Sequence, residues 1–170
     1  MATPADSAAA SDTAKPAEGP RGIGGWLILP IIHLVITILL TAYNVMMALQ
    51  YWSGIMAMVT GNIDPAYRWM AVPTILSLVL GIALVAFAIY VLVRLFQKRR
   101  EVPRLMIWFY SLVLAVTLFE SGMVFAFEEF RESSADVGQA LKDLIRAFLG
   151  VAIWIPYFLV SKRVKATFVE

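Results

Sequence analysis

The sequence contains no cysteine and a single histidine, and only 15% of its 170 residues are charged. Without cysteine there are no disulfides, thiolate metal ligands or cysteine nucleophiles. One histidine with one mid-span glutamate falls short of the three or four ligands a metal site needs. The net charge of +2 is too small to point to nucleic acid. The Gly22–Gly25 run lacks the Gly-Lys-Ser/Thr ending of a phosphate loop. Ser77, Ser111 and Ser121 have no adjacent base in the sequence. Met46, Met47, Met56 and Met58 suit apolar packing better than soft-metal binding. No cofactor is therefore expected, and no enzymatic activity.

What the chain has in abundance is apolar surface. Hydrophobic residues make up 61% of it, and its mean hydropathy is +0.78. A soluble domain of this length buries only ~60–70% of its chain surface, so this composition calls for lipid as solvent. A spanning helix needs ~20 mostly apolar residues. Four stretches qualify, at about Trp26–Gln50, Met70–Phe96, Pro103–Phe127 and Leu141–Ser161. None shows the period of two that a membrane strand requires, so the spans are helices. The expected fold is all-α, an integral membrane four-helix bundle over residues 21–169. Residues 1–20 are Ala, Ser, Thr, Pro and acidic residues without periodicity, which reads as a disordered cytoplasmic tail. Asp6, Asp12 and Glu18 precede the first apolar run, unlike a signal peptide.

Charge sets the expected orientation. Lys15 and Arg21 precede the first span; Arg94, Lys98, Arg99, Arg100 and Arg104 surround the second connection; Lys162, Arg163 and Lys165 follow the last span. The first connection, around Gly61, Asn62 and Asp64, has Arg68 as its one basic residue, and the third carries Glu128, Glu129, Glu132 and Asp136. The positive-inside rule puts both termini in the cytoplasm, with the basic clusters against anionic lipid. Trp26, Tyr51, Trp52, Tyr67, Trp69, Trp108 and Tyr157 lie near span ends, as interfacial anchors do. Val137, Leu141, Leu144, Ile145 and Phe148 keep helical spacing. With Ser133 and Asp136 as a cap, the fourth helix should start outside the bilayer.

Small and polar residues mark contacts between membrane helices. On the first span Trp26, Pro30, His33, Thr37, Thr41, Asn44, Ala48 and Tyr51 form one stripe. Pro73, Ser77, Gly81, Leu84 and Ala88 do so on the second, and Ser111, Ala115, Gly122 and Ala126 on the third. Asp143, Ala147, Gly150, Trp154 and Ser161 form the fourth. These stripes are expected at the centre of the bundle. His33 and Glu120 lie within spans, where a charge costs ~2.5–3.5 kcal/mol, so they join Thr37, Thr41, Asn44 and Ser77 as candidate site residues. Glu120 sits ~150° from the small-residue stripe of its own helix. Either that helix presents two faces to protein, or Glu120 faces a partner subunit, or it is a protonated carboxyl near lipid.

The two ends of the membrane region carry a resemblance. Gly22-Ile23-Gly24-Gly25-Trp26-Leu27-Ile28-Leu29-Pro30 opens the first span, and Trp154-Ile155-Pro156-Tyr157-Phe158-Leu159-Val160-Ser161-Lys162-Arg163-Val164-Lys165-Ala166-Thr167-Phe168 closes the last. Together they resemble the bacterial membrane family catalogued as domain of unknown function 2569. The resemblance implies a four-span protein over about residues 21–169, in the bacterial inner membrane, and no particular activity. Each motif pairs a tryptophan with a proline, Trp26 with Pro30 and Trp154 with Pro156. Two kinked helix ends could form a basic cytoplasmic mouth, but the energetics favour a helix stop with an anionic-lipid anchor, at ~1 kcal/mol per basic residue. The functional expectation is an accessory or interaction protein working through a membrane-protein partner. The alternative is a small-solute or proton transporter acting as a homo-oligomer.

Overall fold

The computed structural model describes residues 25–61, 64–133 and 137–161, together with residues 164, 167 and 168. The expected tail over residues 1–20, and Arg21, Asn62, Asp136, Lys162, Arg163 and Lys165, lie outside the described residues. Every regular element among the described residues is helical. A short 3-10 turn, Gly25–Leu27, leads into α1 (Ile28–Gln50). Tyr51 alone separates α1 from α2 (Trp52–Thr60). Gly61 ends α2 in the left-handed conformation, φ 77°, that a glycine C-cap adopts without steric cost. A 3-10 segment, Pro65–Met70, then enters α3 (Ala71–Phe96). The rest is α4 (Val102–Ala126), α5 (Glu128–Ser133) and α6 (Val137–Val160).

Helices α1, α3 (extended back to Tyr67), α4 and α6 are each long and apolar enough to cross a membrane. The expected spans and the observed helices agree closely, and α6 starts at Val137, ahead of the Leu141 span boundary, as the helical spacing from Val137 predicts. The four spans pack largely in chain order: α1 lies on α3, α3 on α4, and α4 makes its most extensive contact with α6. All four end in two groups. One group is the basic end, with the start of α1, the α3–α4 turn and the end of α6. The other is the acidic end, where α5 carries Glu128 and Glu129.

One large apolar core sits toward the basic end. Leu27 and Leu34 meet Leu84, Ala88, Val91 and Leu95 of α3, Val102, Met106, Phe109 and Tyr110 of α4, and Phe158 of α6. Val164 and Phe168 belong to the same cluster. They get there because the chain turns back after α6. Ser161 Oγ accepts the Val164 N–H at 3.4 Å, and the Phe168 N–H donates to the Val164 carbonyl at 3.1 Å. A serine accepting the N–H three residues on is an N-cap arrangement.

Val164 and Phe168 thus pack at the basic end, whereas Lys162, Arg163 and Lys165 of the basic mouth lie outside the described residues. Pro30 departs from expectation. It lies in the first turn of α1 and is buried. No hydrogen bond is lost there, because the first four N–H groups of a helix have no intrahelical partner. Pro156 is a true interior proline.

Candidate functional site

The small-residue stripes hold on two helices. On α3, Gly81, Leu84 and Ala88 are buried, and on α6, Ala147 and Gly150 are. A Cβ at Gly81 would come within 3.0 Å of Val45 Cγ2, so α1 rests on this glycine. On α1 the stripe holds in part: Pro30 is buried and His33, Thr37, Thr41 and Ala48 are half-buried, whereas Trp26, Asn44 and Tyr51 are exposed.

On α4 the stripe is turned outward. Ser111, Ala115, Gly122 and Ala126 are all exposed, and a Cβ at Gly122 would meet nothing within 4 Å. The buried face of α4 is bulky instead: Val102, Met106, Phe109, Tyr110, Val116 and Val124. A close contact needs one small partner, not two. Here α3 and α6 supply the small residues and α4 supplies the large ones. Tyr110 illustrates the fit, with its Cδ1 3.7 Å from where a Cβ on Gly150 would stand.

Glu120 is in helical step with the buried Val116 and Val124, but unlike them it is exposed. Its carboxylate accepts a hydrogen bond from Ser77 Oγ at 2.6 Å, joining α3 to α4. Ser77 is six residues past the start of α3 and Glu120 six before the end of α4, so both lie ~9 Å inside the acidic end. Thr41 is near the same line, its Cγ2 4.0 Å from a Cβ placed on Gly81, one turn from Ser77.

The sequence reading missed a polar ladder on α6 at this level. Gln139 Nε2 donates to both Asp143 carboxylate oxygens, at 3.1 and 3.0 Å, and Arg146 donates to Oδ1 at 3.0 Å. The spacing of Gln139, Asp143 and Arg146 in steps of four and three is the signal that marks one helix face. The apolar run beside it does not form the buried face: Val137, Leu141, Ile145 and Phe148 are exposed.

His33 is separate from this group. Its ring lies 5.4 Å from that of Tyr110, and its Cε1 would stand 3.4 Å from a Cβ on Gly150. It wedges α1 against α4 and α6. Tyr110 in turn stacks on Trp154 at 6.4 Å, and Trp154 meets Tyr157 edge-on at 6.0 Å. The hydroxyls of Tyr110 and Tyr157 are both buried without a hydrogen-bond partner. An unpaired buried hydroxyl costs about 1–3 kcal/mol. Tyr157 thus turns its hydroxyl into the protein, whereas Trp26 and Trp108 are 72% and 71% exposed. Among the described residues no three histidine, aspartate or glutamate side chains come together as a metal site would require.

The protein is thus a multi-pass helical membrane protein, with an apolar core at its basic end and hydrogen-bonded polar groups toward the other. Residues 20–169 match the family described as Protein of unknown function (DUF2569), and the chain belongs to that family. It is also similar to the "Inner membrane protein YdgK" of Escherichia coli (strain K12), with 30% identity over 154 residues, covering 89% of this chain and 96% of that protein. No solved structure matches the chain. Of the motif residues that carried the resemblance, Pro30 is buried and Trp154 half-buried at the basic-end core. Gly25 opens the first 3-10 turn, and Ser161 caps the returning chain.

Proposed function

We propose that the protein is a non-enzymatic accessory protein of the bacterial inner membrane, engaging the transmembrane helix of a partner protein. The observation that carries this reading is the Asp143–Arg146 pair. It stands within a spanning helix, yet its side chains are 41% and 63% exposed. Charges within spans almost always face protein or a water-filled cavity, because lipid exposure costs ~2.5–3.5 kcal/mol per group. A partner helix over this ladder removes that cost. The outward small-residue face of α4 supports the same reading, since such faces let helix backbones approach closely. In this arrangement the basic end faces the cytoplasm, with exposed Lys98, Arg99 and Arg104 against anionic lipid. The test is a photo-crosslinker at position 146 in intact inner membranes, followed by mass spectrometry. A stoichiometric adduct to one other membrane protein is expected; recovery of uncrosslinked monomer and lipid adducts alone would overturn the proposal.

A second reading is favoured by the Ser77–Glu120 hydrogen bond, which links two spans inside the bilayer. Together with half-buried Thr37 and Thr41, it supports a small-solute or proton transporter acting as an oligomer. Crosslinking at position 146 to a second copy of the chain would favour this reading. Flux into liposomes that Glu120→Gln abolishes would support it, and no flux by the native chain across a broad solute panel would dismiss it.

A further inference from the structure

The two orphaned phenols stand inside the best-packed part of the molecule. Tyr110 is 2% exposed and belongs to the main apolar core, while Tyr157 packs against that core. Trp154 lies between their rings, and the His33 imidazole lies beside Tyr110. Two hydroxyls and an imidazole therefore lie against about two turns of α6, from Gly150 to Tyr157. Buried polar groups of this kind are paired in native structures, by protein or by ordered water.

A Cβ added at Gly150 would make ordinary van der Waals contact with His33 at 3.4 Å and with the Tyr110 ring at 3.7 Å, so both rings lie directly against this glycine. We propose that the basic half of the bundle binds ordered internal water at the Tyr110 and Tyr157 hydroxyls, with His33 as a further partner of the Tyr110 site. Water is the smallest species that both donates and accepts, and an internal water typically makes about three hydrogen bonds. The basic half is then a polar node enclosed by apolar side chains. This inference is independent of both functional readings.

Radiolytic hydroxyl-radical footprinting of the full chain in nanodiscs tests it, because buried side chains are oxidised where bound water lies beside them. Phe109 is the internal control for Tyr110: it adjoins that residue and is as deeply buried, at 0% against 2% exposure. After correction for intrinsic reactivity, Tyr110 should be oxidised several-fold faster than Phe109, and oxidation at the half-buried position 157 should fall several-fold in Tyr157→Phe. Equal rates would overturn the proposal. In Tyr110→Phe, oxidation at position 110 should fall to the rate of Phe109. A rate that stays high would show that the hydroxyl does not hold the water, and would overturn the assignment.

Discussion

The two halves of the bundle are held together by different means. Toward the basic end, Leu27, Leu34, Val91, Leu95, Val102 and Val164 are fully buried, and the chain returns after α6 to add Phe168. Toward the acidic end, Ile55, Met70, Ala71, Val124 and Ala140 are buried but lie outside that cluster, and hydrogen bonds link the helices: Ser77 to Glu120 at 2.6 Å, and Ser121 to the Ala140 carbonyl at 3.3 Å. The difference shows where each half can tolerate change. An apolar core surrounded by lipid has no hydrophobic drive between its helices and depends on close packing. Polar links are individually modest but directional.

The comparison can be broken most sharply at Phe168. Phe168→Ala removes a core side chain that is 5% exposed. It should destabilise the fold by about 3–5 kcal/mol, read as a lower midpoint of thermal unfolding in detergent. Phe125→Ala, near the acidic end and 42% exposed, should shift the midpoint far less. Equal losses would show that the two halves are one packing unit.

Next in size is a pair of glycines. Gly81→Val drives a branched side chain into Val45, whose Cγ2 is already within 3.0 Å of the Cβ position. A cost of about 1–3 kcal/mol is expected, with α1 loosened from α3 as seen by faster protease cleavage of the α1–α2 region. Gly122→Val meets nothing within 4 Å and should leave the isolated chain unchanged, while weakening any crosslink made through the outward face of α4.

The smallest expected effect is at the polar link. Ser77→Ala removes the donor to Glu120 and should cost about 1 kcal/mol, whereas Glu120→Gln keeps an acceptor oxygen and should cost less. A double-mutant cycle over the two positions measures their coupling. Zero coupling would show that the 2.6 Å bond contributes nothing to stability.

Much of this was legible in the sequence. Period and hydropathy place four helices, and the lack of alternation excludes strands. The orientation of α4 was not legible, because the rule that small residues face inward says nothing about which partner is small. Ser111, Ala115, Gly122 and Ala126 read as an interior stripe, yet the interior contact is made by large residues against Gly150 and its neighbours. The spacing of Val116, Glu120 and Val124 was the available clue, masked by the presence of apolar residues on every face. Ser77 and Glu120 were both candidates, but 43 residues separate them in sequence, and no periodicity links two helices. Tyr110 belonged to no motif and emerges as a site residue only through its packing. The returning segment looked like a charged terminus because Lys162, Arg163 and Lys165 dominate its composition. Val164, Thr167 and Phe168 mark its buried face by steps of three and one.

By itself, then, the sequence determined that this is a membrane protein, that it is helical, and where its four spans lie. Those properties follow from chain-local physics: backbone groups in lipid must be satisfied within the segment. Tertiary structure decided which faces meet, that Glu120 bonds to Ser77, and that the chain closes its own basic end. Those depend on side-chain volumes on different helices, since in lipid complementary shape selects among faces of nearly equal hydrophobicity.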